Sequence, residues 1–345
     1  MNTFPLTGLR TMAMADAPIP EIVNDTDVLI RVARVGVCGS DIHYYADGGI
    51  GNQRVEYPWV VGHEGAGVVV EVGSAVRGVK LGDRVAFDPS FPCGTCEQCL
   101  VGRPHTCLHL LFFGCPGQVE GCLKEYIILP ERGCLHVPDT MTLDAAAMME
   151  PLSIAVYGAT LYPNLQGATI AILGSGPIGL CLLQTALSMG AKKVYVTDKI
   201  DQRLDVARRC GAAWTGNPST TDTVADIIAD NGGGLDGVFE CCGKPDALDD
   251  AVKLLKPGGE LSLIGIPEGN RISMDINLLR RKEIRIQNVR RQNNCMQKSL
   301  NLIESGAVDA NAMITHRFPF ARTDEAYDLV ANYRDGVVKA MISLD

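Results

Sequence analysis

Two rhythms of apolar and polar positions run along the chain. From about residue 167 onward, short strand-like runs alternate with longer segments patterned as helices. The runs fall at 169–173, 193–197, 237–240, 259–264 and 283–289, and the longer segments at 178–189, 202–209, 224–229 and 247–255. Strand and helix in regular alternation predict a parallel sheet with right-handed crossovers and helices on both faces. Before that point the β-branched runs are brief (28–35, 68–72, 83–87) and lie among many Gly and Pro residues, which predicts an irregular, strand-dominated domain. Beyond Arg290 the pattern gives a helix at 296–305, a strand at 313–318, a helix at 324–333 and a strand at 337–344. That remainder is too short to stand alone, so it is expected to return and complete the first domain. The expected organisation is α/β in two domains, residues 1–155 with 291–345 forming one and 156–290 the other. At 345 residues, two domains also fit a usual size of about 100–200 residues each.

Composition narrows the function more than the fold. Hydrophobic residues are 46% and charged residues 21%, an ordinary globular mixture that argues against disorder. Forty acidic against thirty-one basic side chains leave a net charge of −9, a poor basis for holding a polyanion, so no nucleic-acid partner is expected. No apolar run approaches the roughly 18 residues of a membrane span. Residues 1–10 lack the apolar stretch of a signal peptide, and a cytoplasmic protein is expected.

Thirteen cysteines change the picture, because four of them, Cys93, Cys96, Cys99 and Cys107, fall within fifteen residues. In a long chain such crowding suits a metal better than long-range disulfides. Four thiolates satisfy tetrahedral zinc completely and leave no position for substrate, so a structural site is expected. An iron–sulfur centre is a rival for the same four ligands, as is a set of buried or reactive thiols. A zinc-ribbon module gripping nucleic acid is a reading from another class, but its loop should be basic, and this one has Arg103 against Glu97.

After the run at 169–173 comes Gly174-Ser175-Gly176-Pro177-Ile178-Gly179, followed by an apolar helix. In that setting the glycines permit a tight turn, close approach of backbone to a pyrophosphate, and close helix–strand packing. Gly174, Gly176, Pro177, Ile178 and Gly179 are therefore cofactor-binding candidates. Asp198 stands nineteen residues past Gly179, where a carboxylate accepts from a ribose 2′-hydroxyl and repels a 2′-phosphate. NAD is favoured over NADP on that ground, while nearby Arg203, also a cofactor candidate, pulls slightly the other way.

A catalytic zinc needs about three protein ligands and one open position. Cys38 offers sulfur, His63 nitrogen, and Glu64 or Glu150 oxygen. They lie in Gly36-Val37-Cys38-Gly39-Ser40-Asp41-Ile42-His43, in Gly62-His63-Glu64-Gly65-Ala66-Gly67 and in Glu150-Pro151.

These segments, with Glu-Pro-Leu-Ser at 150–153 and Thr-His-Arg-Phe-Pro at 315–319, resemble the zinc-dependent medium-chain alcohol dehydrogenase family over essentially the whole chain, and its polyol branch (sorbitol, L-iditol and xylitol dehydrogenases) in particular. The resemblance implies a GroES-like β-rich catalytic domain beside a doubly wound Rossmann domain. It implies Cys38, His63 and Glu64 as catalytic zinc ligands, with Glu150 either coordinating the metal or holding its water. Ser40 would take the hydroxyl proton and His43 pass it on, while Tyr44 and Arg290 would line the substrate pocket. The implied reaction is NAD-dependent oxidation of a secondary hydroxyl of a polyol to the ketose, in a homo-oligomer, a tetramer rather than a dimer. Where polyol relatives often have an aromatic residue after the arginine, this chain has Arg291. A second guanidinium suits a sugar acid such as idonate, because arginine reads carboxylates bidentately; it equally suits solvent or a subunit contact.

Overall fold

Residues 1–267 and 269–344 are described by the computed structural model. Two compact units emerge, one built of 1–150, 296–304 and 314–345, the other of 151–295 and 305–313. The second unit thus takes 151–155, 291–295 and 305–313, which are expected with the first. The capture of 305–313 is local chemistry: the Asp309 amide donates to Gln184 Oε1 (2.8 Å), and Cys181 Sγ lies 3.7 Å from Met313 Sδ.

Asp27–Gly36 is the longest strand of the first unit and is buried along nearly its whole length, because it has strands on both sides. Seven strands make this sheet, in the order Cys134–His136, Arg84–Phe87, Glu64–Val72, Asp27–Gly36, Lys339–Ser343 and Ile314–Pro319, with Tyr126–Pro130 also pairing with Asp27–Gly36. Val28, Ile30, Val32, Val35, Val85, Phe87, Leu129 and Ile342 fill its core. Each such side chain contributes about 1.5–3 kcal/mol when fully buried. The register matters for chemistry. Gly36 pairs with Glu64 on one side and with Met341 on the other, which brings the C-terminal strand beside the Gly62–Gly67 motif. A Cβ at Gly36 would overlap the Glu64 carboxylate, so glycine makes room for that side chain.

In the second unit all six strands are parallel. Their order is Trp214–Gly216, Lys193–Thr197, Thr169–Leu173, Leu235–Glu240, Leu255–Leu263, Arg285–Asn288, which numbered along this unit reads 3-2-1-4-5-6. That is the dinucleotide-binding arrangement, with its switch point between Thr169–Leu173 and Leu235–Glu240. Four of the five residues in each of the two first strands are fully buried, as expected where helices cover both faces. The doubly wound expectation is met. Among the described residues, no helix is long and apolar enough to cross a membrane.

Candidate active site

Cys38 occupies the N-cap of the helix Gly39–Asp47, and the Ser40 hydroxyl donates to its sulfur at 3.3 Å. One turn in, Asp41 is completely buried and its carboxylate lies 3.3 Å from His63 Nδ1. A carboxylate facing Nδ1 holds the proton there and leaves Nε2 as a free base, the usual support for a metal-ligating histidine. Burial disfavours a charged imidazole, yet Asp41 and Cys38 outweigh it and raise the His63 pKa well above its ordinary value. The Asp41 carboxylate and the Cys38 thiol give the surroundings of His63 a preference for positive charge. Asp41 was not singled out in the sequence.

Glu64 and Glu150 share this environment and are both buried. Burial pushes the Glu150 carboxyl up to about 7, with His63 opposing and the Glu64 charge adding to the rise. Glu64, expected as a ligand, pairs with the ammonium of Lys339, which also donates to the Val37 carbonyl at 3.0 Å. Lys339 is 1% exposed and was missed in the sequence. A loop closes the site from the other side: the Phe112 ring sits edge-on to His63 at 5.3 Å.

The remaining expected residues divide by unit. His43 lies one turn beyond Ser40, its Nδ1 2.9 Å from Asp47 Oδ2. Tyr44 is buried, with its hydroxyl 3.4 Å from Cys115 Sγ. Arg290 belongs to the second unit and is exposed just past the edge strand Arg285–Asn288; Arg291 beside it is half-buried, with a left-handed backbone at φ 52°.

Cys93, Cys96, Cys99 and Cys107 come together with all four sulfurs within 4.8 Å of one another, the one such metal-ligand group among the described residues. Cys96 to Cys99 is 3.6 Å, Cys96 to Cys107 3.7 Å and Cys107 to Cys93 3.5 Å. A tetrahedron with metal–sulfur bonds of about 2.3 Å has edges of about 3.8 Å, so the spacing fits one zinc ion and is too tight for an iron–sulfur cage. Backbone N–H groups of Cys96 and His109 point at the sulfurs of Cys93 and Cys107, at 3.3 Å each. Donors from Thr95 and Cys96 lower the Cys93 thiol to about 5, whereas burial and then the neighbouring sulfurs push Cys99 up to about 12.

At the nucleotide loop, Gly174 takes φ 101°, and a Cβ on Gly179 would collide with the Gly174 carbonyl. Asp198 pins the turn: its carboxylate accepts from the Ser175 amide (2.7 Å) and the Ile200 amide (2.9 Å). Pro177 opens the helix Pro177–Ser188, with Ile178 next and Gly176 as its N-cap. The Arg203 guanidinium is the nearest group to the Gly176 Cα face, 3.8 Å from where a Cβ would stand. Gly179→Val is expected to weaken NADH binding at least about tenfold, measured by cofactor fluorescence, because the loop must open to admit the side chain. Unchanged affinity would remove the pyrophosphate role from this turn.

Residues 24–139 match the alcohol dehydrogenase GroES-like domain, and residues 177–305 match the zinc-binding dehydrogenase family. Sorbitol dehydrogenase of Bacillus subtilis is 35% identical over 99% of this chain and 97% of its own length. D-xylulose reductase A of Aspergillus niger is 34% identical over 95% and 93%. Among solved structures, L-idonate 5-dehydrogenase of Escherichia coli superposes with a TM-score of 0.91 at 26% identity, covering 99% of this chain and 98% of that one.

Proposed function

The chain belongs to the zinc-dependent medium-chain alcohol and polyol dehydrogenases, and from that premise we propose that it oxidises a secondary hydroxyl of a polyol to the ketose with NAD. The observation that supports the reading is the buried His63, set between the Asp41 carboxylate and the Cys38 sulfur, with buried Glu150 close enough to feel its charge. Cys38 and His63 would hold a zinc ion with a carboxylate oxygen from Glu64 or Glu150, and Lys339, paired with Glu64, would set the charge of the first of these. Cys93, Cys96, Cys99 and Cys107 would hold a second, structural zinc.

When bound, the catalytic zinc would supply a Lewis acid that lowers the pKa of the alcohol hydroxyl, and NAD the hydride acceptor. The protein's own part is proton handling. Ser40, whose hydroxyl donates to the Cys38 sulfur, would accept the alcohol proton on its oxygen while releasing its own along the relay. His43 lies on the same helix one turn further and is oriented by Asp47, so it can take the proton onward. Glu150, buried beside His63, would give its carboxylate oxygen either to the metal or to the water of the site. Asp198, with both oxygens turned to the loop amides, presents negative charge where a 2′-phosphate would sit, which supports NAD over NADP.

A second reading, oxidation of a sugar acid, draws on the paired Arg290 and Arg291 and on the likeness to L-idonate 5-dehydrogenase. A panel of polyols and aldonates assayed with NAD and NADP side by side separates the two. Highest kcat/KM on sorbitol, xylitol or L-iditol with NAD supports the polyol reading; preference for an aldonate replaces it with the second.

A further inference from the structure

The helix Gly39–Asp47 carries Tyr44 one turn beyond Ser40, and Tyr44 is committed to an interaction that the proposed chemistry does not use. Its hydroxyl lies 3.4 Å from the sulfur of Cys115, a buried thiol with no disulfide. That sulfur also accepts a hydrogen bond from Gln53 Nε2 at 2.9 Å, and the same amide nitrogen donates to the Pro116 carbonyl at 2.9 Å. Gln53 stands in the small hairpin that follows the helix, where Ile50 pairs with it and Gly49 with Arg54.

The elements that carry this network also carry residues proposed to bind zinc or their neighbours. At one end, Ser40 contacts Cys38. At the other, the loop bearing Cys115 also places Phe112 against His63, and it is stitched to the His63 segment through the Gly121 amide on the Val60 carbonyl (2.8 Å) and the Cys122 amide on the Gly62 carbonyl (2.9 Å). The chain Gln53–Cys115–Tyr44 is therefore held at a set distance from the residues that would bind zinc.

We propose that Cys115, pinned by Gln53, is a specificity-determining positioning residue that anchors the Tyr44 phenol to read a second hydroxyl of the substrate; this rests on the reading that Tyr44 lines the polyol pocket. A thiol is small enough for the buried site and can take the amide proton on one side while meeting the phenol on the other. An anchored phenol presents its oxygen in one direction. An alcohol with one hydroxyl needs only the groups that handle that hydroxyl, whereas a polyol gains from a polar group waiting at a fixed place. Sites built to hydrogen-bond a hydroxyl discriminate strongly against analogues that lack it.

The test compares wild type, Cys115→Ala, Cys115→Ser and Gln53→Leu on the best substrate of the panel and on cyclohexanol, with zinc content measured for each. In Cys115→Ala and Gln53→Leu, the ratio of kcat/KM for the best substrate over that for cyclohexanol should fall roughly tenfold, chiefly through KM. Cys115→Ser should restore most of it. A ratio that stays constant while both rates fall together marks a packing role and overturns the proposal, as does a ratio unchanged in both variants. The S–H stretching band, assigned from the wild type minus Cys115→Ser infrared difference, should move in Tyr44→Phe; an unmoved band removes the anchor itself. Should wild type take no polyol at all, the functional reading fails, and the anchor is then judged by the infrared band and by whether Cys115→Ala reorders the alcohols that are oxidised.

Discussion

Cys38→Ser is expected to cut kcat/KM by about 10³-fold or more, roughly 4 kcal/mol, while NADH still binds at wild-type strength. An alcohol hydroxyl is nearly as weak an acid as water, and a positively charged ligand partner is what brings its proton within reach of Ser40 at neutral pH. Serine keeps the shape at the helix N-cap and loses the thiolate. Elemental analysis should find about one zinc per chain in the variant against about two in the wild type, since the Cys93–Cys107 set is untouched. Nucleotide affinity should hold because Gly174 and Asp198 belong to the other unit. Full turnover with the metal gone from this site would end the zinc reading.

The second large effect falls on stability. Lys339→Met removes the ammonium that neutralises Glu64, and both side chains are at most 2% exposed. Leaving one member of a buried ion pair without its partner costs about 3–5 kcal/mol. For a unit of this size that corresponds to a drop of roughly 6–20 °C in Tm. Adding Glu64→Gln should return most of the loss, because a neutral amide needs no counter-charge. Thermal melts of the single and double variants decide the matter; a Lys339→Met protein melting within a degree of wild type would show that the pair carries little weight. The same substitution frees Glu64 of its counter-charge, so metal content read beside the melt reports whether the pair governs the choice between Glu64 and Glu150.

What the sequence disclosed and what it concealed follow from the range of the interactions. The four cysteines fall within fifteen residues and Asp198 follows the glycine turn at a fixed interval, so short spacing exposed them. The alternating strands of the second unit were equally plain because each is a short run bounded by its own turn. The three-residue edge strand Trp214–Gly216 was too brief to register, and the helix Met149–Leu161 is apolar on every side, so no polar face betrayed its period. Lys339 could not be found at all. It meets Glu64 across 275 positions, and only the register of three neighbouring strands brings them together. Asp41 was hidden differently, since a lone acid in a helix's first turn is ordinarily a surface feature and only its burial reveals another use.

The strand Lys339–Ser343 lies inside its sheet, between Asp27–Gly36 and Ile314–Pro319. During synthesis, a ribosome must therefore release residue 339 before the first unit can be finished. The nucleotide-binding unit has nearly all its residues available earlier and can settle while translation continues. In the interval the nascent polypeptide carries an incomplete catalytic half with Glu64 still lacking its ammonium. A stop codon only a few positions upstream of 339 would leave this sheet without an interior strand and Glu64 without its ammonium, although every cysteine and histidine had already been made.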